Sequence, residues 1–131
     1  MLRIATRLGD ELEALVHKTI GCCIAVHREL GPGLIEGAYH RAVAFELDAV
    51  GVPFEREKRV PIVYRGKCVY VHRLDLVVGA KIVLEIKAVD RLHPVHQAQT
   101  LSSLRAAGLP IALLINFNVP LLPHGIRRYV L

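Results

Sequence analysis

Asp75, Glu85 and Lys87 interrupt "LDLVVGAKIVLEIKAV", Leu74 to Val89, a run otherwise dominated by Val, Ile and Leu. That composition belongs to buried strands. An ionised side chain in such a setting costs several kcal/mol unless it is paired or bound to a metal, against a total stability of about 5–15 kcal/mol for a small domain. The spacing offers a use for the three charges. Gly79 marks a turn: a three-residue loop of Gly79, Ala80 and Lys81 would place Asp75 directly opposite Glu85 in an antiparallel pair, whereas a two-residue Gly79-Ala80 loop would put them on opposite faces. Strand alternation then puts Lys87 on their face, and Leu74, Leu76, Val78, Ile82, Leu84 and Ile86 on the other. Opposed carboxylates have Cβ atoms about 4.5–5.5 Å apart and repel. A divalent cation reverses the sign of that interaction, and an all-oxygen donor set fits Mg²⁺, with Mn²⁺ as a second option. A lysine one alternation beyond stabilises developing negative charge or holds an attacking water. This is the equipment of metal-assisted phosphodiester hydrolysis. The competing reading is a salt-bridge cluster that balances its own charges.

Several elements must position these groups. Leu12, Leu15, Val16, Thr19, Cys23, Val26 and Leu30 recur at helical spacing and predict a first helix from Asp10 to Leu30, stopped by "GPG" at Gly31 to Gly33. A second helix follows over Leu34 to Val50. From Val52 the period becomes two. "FEREKRVPIVYRG" and "KCVYVHRLDLVV" read as strands around a turn at Gly66, with Pro61 pointing to an edge, and "KIVLEIKAV" is a third strand. "HPVHQAQTLSSLRAAG" is helical, capped near His93 and stopped at Gly108. "PIALLINF" is a buried strand, and "GIRRYVL" has the pattern of a short last one. The order (two helices, a three-stranded meander, a helix, a strand) predicts one α/β domain with a mixed central sheet flanked by helices.

At 131 residues, 53% hydrophobic and 22% charged, the chain suits one folded domain with a real core. The mean hydropathy of +0.38 is high, yet no apolar run reaches the ~20 residues of a membrane helix. The surplus points to a buried sheet or a homo-oligomer interface, with "VPLLPHGIRRYVL" the segment most suited to packing on the domain or on a neighbour. "MLRIATRLGDELEALV" lacks the apolar core of a signal peptide, so the expected location is cytoplasmic. Cys22, Cys23 and Cys68 form neither a disulfide framework nor a zinc spacing and read as small buried hydrophobes. A net charge of +5, with 12 Arg to 5 Lys, favours a polyanionic partner. No basic–aromatic interleaving marks a base-stacking platform.

"GPGLIEGAY" carries the pattern G-x-x-E-x-x-Y at Gly33, Glu36 and Tyr39. Together with "RLDLVV", "LEIKAV", "HPVHQAQTLSSLRAAGLP" and "LLINFNVPLLPHGIRR", it makes the chain closely resemble the GxxExxY protein family from Glu11 to Arg128. That family is placed in the PD-(D/E)XK nuclease superfamily, so the resemblance implies a restriction-endonuclease-like fold and a metal-dependent nuclease acting on DNA or RNA. It implies that Glu36 is the acidic helix residue assisting metal or water, and Asp75 the motif aspartate. Glu85 with Lys87 is then the (D/E)XK element, and Gln99 the helix glutamine that orients water or substrate. Metal ligation falls to Asp75, Glu85 and Glu36. Leu74 replaces the proline of the superfamily motif, a residue that coordinates nothing.

Other constellations are weaker. His93 and His96 have metal-site spacing, but carboxylates are the better ligands here; His96 shares a helix face with Gln99 and suits either a structural or a substrate contact. Tyr39 is placed to pack or hydrogen-bond. Two functions compete: a Mg²⁺-dependent nuclease, and a non-catalytic self-assembling or nucleic-acid-binding protein on the same scaffold. A chain of this length has little room for a separate recognition domain, which argues against base-specific readout.

Overall fold

The computed structural model describes residues 9–131. The opening residues used for the cytoplasmic expectation lie partly outside that range. Helix α1 (Asp10–Leu30) buries Val16, Thr19, Cys22, Cys23 and Val26, a stripe at three- and four-residue spacing. It ends at Gly31, whose φ of 67° lets its N–H turn back to the carbonyl of His27 at 2.8 Å. Helix α2 (Glu36–Ala49) follows, burying Tyr39, Val43, Ala44 and Leu47.

Five strands form one sheet in the order β1 (Phe54–Tyr64), β2 (Lys67–Val78), β3 (Ile82–Lys87), β4 (Ile111–Asn116), β5 (Ile126–Val130). β1, β2 and β3 are an antiparallel meander. Helix α3 (Pro94–Ala107) then crosses over, so β4 lies parallel to β3, and β5 returns antiparallel at the edge. All six residues of β4 are buried, as expected for a strand covered on both faces. On one face α1 and α2 pack against Leu76, Val78, Ile82, Leu84, Ile86, Leu113 and Ile115. On the other, Leu104 of α3 packs against Val77, Val83 and Ala112. This is a restriction-endonuclease-like arrangement, a mixed sheet flanked by helices. Pro61 does sit on an edge strand, where its missing N–H breaks no interior ladder.

The loop between β2 and β3 has three residues, because Val78 pairs with Ile82. Gly79 and Ala80 both adopt left-handed backbone (φ 59° and 56°), and a Cβ on Gly79 would meet Leu15 Cδ2 at 2.6 Å. Glycine is required there by conformation and by space.

Two expectations need correction. Leu74 does not share a face with Leu76: it packs with Val60, Val77 and Leu104 on the α3 side. The cause lies in β1, where Glu57 takes a left-handed φ of 51° and the ladder passes from Arg56↔Leu76 to Lys58↔Leu74 with Glu57 and Asp75 unpaired. Cys68 is exposed on β2, whereas Cys22 and Cys23 are buried. The C-terminal segment packs largely on its own domain: Leu122 is buried, and Val119, Ile126 and Val130 rest on the main core. Among the described residues no helix is long and apolar enough to cross a membrane.

Candidate active site

The ladder between β2 and β3 ends at Leu76↔Leu84, and the strands part there like the arms of a fork. Asp75 stands at the fork. With the alternation of β2 broken at this residue, its carboxylate is turned toward β3, and Oδ2 accepts the backbone N–H of Ile86 at 3.0 Å. The side chain thus stands in for a missing ladder bond. The carbonyl of Asp75, lacking a partner on β1, is met by Nε2 of His40 on α2 at 3.0 Å. Both ends of the aspartate are fixed, which gives its remaining oxygen a defined direction.

Glu85 faces Asp75 from β3 and is 9% exposed. Burial, first, and the neighbouring Asp75 carboxylate, second, push its pKa up to about 8. Hydrogen bonds from the hydroxyl of Ser103 and the backbone of Asp75 act the other way, favouring the charged form. Ser103 lies on α3, buried, and its Oγ is 2.9 Å from Nε2 of His72. A chain of contacts therefore runs from His72 through Ser103 to Glu85. Sequence reasoning missed Ser103, His72 and His40. A serine and a threonine buried in the middle of a helix (Ser103 and Thr100) were the available sign.

Glu36 opens α2, and its pKa is raised by partial burial and by Asp75 and lowered by Lys87 and His40. Those influences place it near Asp75 and Lys87. Its position is set by the G-x-x-E-x-x-Y segment. The hydroxyl of Tyr39 donates to the carbonyl of Gly31 at 2.6 Å and accepts the N–H of Leu34 at 3.1 Å, closing the loop around Gly33, whose φ is 105°. The ring is fully buried and stacks on Phe117 with centroids 4.7 Å apart. Tyr39 is a clasp for the start of the helix that carries Glu36. Replacing it by phenylalanine keeps the stacking and orphans the N–H of Leu34; the expected loss is about 1–2 kcal/mol, read as a lower chemical-denaturation midpoint at unchanged m-value.

Lys87 ends β3, half-buried, and makes no ion pair within 4 Å among the described residues. The self-balancing salt-bridge reading required one with Asp75 or Glu85. Beyond Lys87 the chain is pinned by Asn116, whose Oδ1 accepts the N–H of Val89 at 3.0 Å and whose Nδ2 donates to its carbonyl at 2.9 Å. Gln99 is exposed on α3 and its side chain makes no hydrogen bond among the described residues; Ser103, one turn further along, is the residue of that helix that reaches Glu85. His96 is occupied structurally, its Nδ1 accepting the N–H of His93 at the helix start.

The structure thus brings Glu36, Asp75, Glu85 and Lys87 together, and gives Gln99 no side-chain contact with them among the described residues. Asp75 and Glu85 offer hard oxygen donors in contact, with one of them unfavourably charged where it stands, so the pair fits a divalent cation. No three His, Cys, Asp or Glu side chains among the described residues are grouped to enclose a metal by themselves. A two-carboxylate site that keeps several waters is the usual arrangement for Mg²⁺. Glu36, His40 and Asp75 also line an open cleft of about 340 Å³, together with Arg41, Arg56 and Arg73.

A family model for the PD-(D/E)XK nuclease superfamily matches residues 13–129. No curated protein matches the chain, and no solved structure does. The matched span contains every element from α1 to β5 except the ends, and with it the Asp75–Glu85–Lys87 fork. The chain belongs to the PD-(D/E)XK nuclease superfamily.

Proposed function

We propose that this protein is a metal-dependent nuclease of the GxxExxY type, hydrolysing phosphodiester bonds of nucleic acid at the β2–β3 fork. The observation that carries the reading is the contact of Asp75 with a buried Glu85 whose pKa is pushed up to about 8, beside a lysine that neutralises neither. The Asp75 carboxylate serves the fold by accepting the N–H of Ile86, but a buried acid at Glu85 costs stability, and a ligand that uses its charge accounts for it. Nucleases of this superfamily generally use divalent metals. Asp75 and Glu85 would hold Mg²⁺ or Mn²⁺, with Glu36 contributing through water. The bound cation supplies Lewis-acid polarisation of the phosphate and a lowered pKa for water. The protein's own groups do the rest. Lys87 places positive charge where the phosphoryl oxygens gain negative charge, or holds the attacking water. His40 and the N–H of Ile86 keep the Asp75 carboxylate oriented. Gln99 contacts water or substrate from the α3 side.

The test is a cleavage assay over single- and double-stranded DNA and RNA with Mg²⁺, Mn²⁺ or EDTA. Metal-dependent cleavage that Glu85→Ala abolishes supports the reading. A protein that neither cleaves any of these nor is stabilised by either cation is the non-catalytic scaffold instead.

A further inference from the structure

Beyond the fork, β1 and β2 continue without β3. The third strand pairs with β2 only from Leu76 to Val78, whereas β1 and β2 pair on to Tyr64↔Lys67. The result is a two-stranded ribbon running roughly 20–25 Å past the fork at about 3.3 Å per residue. Its base rests on α3 through Val60 and Leu104. Its tip is solvent-exposed, including Tyr64 and Tyr70.

Charge is concentrated on this ribbon. Residues 54–74 hold six Lys and Arg against two Glu, a surplus of four out of the chain's five. Both glutamates are already engaged, Glu55 with Lys58 at 3.1 Å and Glu57 with Arg73 at 3.4 Å. Arg56 at the ribbon's base and Arg41 on α2 are exposed and make no ion pair among the described residues. Both line the cleft that holds Glu36, Asp75 and the Glu57–Arg73 ion pair. Unpaired guanidiniums in a cleft beside carboxylates are not explained by stability. Their planar forks suit phosphate oxygens, and like charges spaced along a ribbon suit a ligand with repeating negative charge.

We infer that Arg41 and Arg56 hold backbone phosphates of a nucleic acid next to the bond at the fork, and that the basic ribbon carries the same strand onward through Arg65 and Lys67. The contacts are to phosphate, so the binding is independent of sequence. This inference rests on the proposed nuclease reading for its geometry, but it concerns binding, and binding is measurable without turnover.

Fluorescence anisotropy of labelled 30-mers (single- and double-stranded DNA, and RNA) in EDTA, over a series of KCl concentrations, tests it. Three charge-matched doubles are compared with wild type: Arg41→Ala/Arg56→Ala in the cleft, Arg65→Ala/Lys67→Ala at the tip, and Lys18→Ala/Arg28→Ala on α1. All six side chains are exposed, and melting temperatures verify that each variant folds. The expected result is that the cleft and tip doubles each reduce the slope of log K against log[salt] by about 2 and weaken binding by roughly tenfold or more, with the α1 double within twofold of wild type. The oligomer whose curve shifts most identifies the polyanion. Equal weakening by the α1 double would reduce the effect to net charge and overturn the inference. So would unchanged binding by the cleft double. No binding by wild type, with sedimentation showing a dimer that Tyr64→Ser/Tyr70→Ser splits, would make the ribbon a self-association arm instead. Arginine-dependent binding without cleavage in any metal would sink the nuclease reading and leave this one standing; cleavage with an unchanged KM in the cleft double would do the reverse.

Discussion

Metal-free protein is expected to lose stability as pH rises from about 5 to 8, by roughly 3–5 kcal/mol, and to level off above that. The sign follows from Glu85. Its folded pKa of about 8 lies above the ordinary value of 4.5, so within that window the folded chain keeps a proton that the unfolded chain has released. Stability from this group is complete below about 4.5 and is lost as pH climbs through 8. Glu36 is displaced in the same direction and adds to the slope. Chemical denaturation in EDTA at half-unit pH steps measures it. Glu85→Gln should flatten the curve and be the more stable protein at pH 8.5, since a buried amide carries no charge to desolvate. Saturating Mg²⁺ or Mn²⁺ should restore the alkaline stability of wild type, by about 2.7 kcal/mol at a hundredfold excess over the dissociation constant, and leave Glu85→Gln nearly unmoved. A flat wild-type profile together with no response to either cation would remove the fork as a metal site.

Lys87→Ala should lower cleavage by about two to three orders of magnitude while metal still stabilises the fold. Lysine supplies no oxygen ligand, so the carboxylate pair remains able to take a cation. The contrast with a structural lysine is clear-cut. Were Lys87 balancing Asp75 and Glu85, its removal would leave two unneutralised carboxylates, and a divalent cation would repair stability and activity together. The absence of any ion pair to Lys87 among the described residues argues against that outcome. Restored stability with cleavage still missing places Lys87 in the chemistry. Equal rescue of both makes it a counter-charge.

Much of this was legible in the residues. Helix α1 ends where the "GPG" stop falls, and the loop at Gly79 has the three residues that bring Asp75 level with Glu85, although the ladder itself stops one pair earlier, at Leu76↔Leu84. Local signals sufficed because each rests on backbone geometry that glycine, proline or apolar spacing dictates. Leu74 was misplaced because alternation holds only while the ladder is unbroken, and nothing in the identity of Glu57 announces a left-handed φ. His40, His72 and Ser103 were invisible for another reason. Their contacts join residues 31 to 35 positions apart or reach from α3 to β3, and depend on how helices settle on the sheet. Tyr39 lay between these cases: its motif was readable, but its role as a clasp appears only once the Gly31–Leu34 loop is closed beneath it.

The hydrogen bond from Ile86 to Asp75 has a consequence for descent. The two acids of the fork are tied to the fold unequally. Position 75 must supply an acceptor for a backbone N–H, whatever the protein does; position 85 supplies only a buried charge. In a lineage released from cleaving nucleic acid, drift would therefore be lopsided. Asparagine would be admitted at 75 and alanine resisted, while 85 would fill with glutamine or an aliphatic residue and the fold would gain stability. A sister sequence with an acceptor at 75 and no acid at 85 is the fossil of a lost activity. The present chain has both acids in place and carries that cost, as the proposed nuclease reading requires.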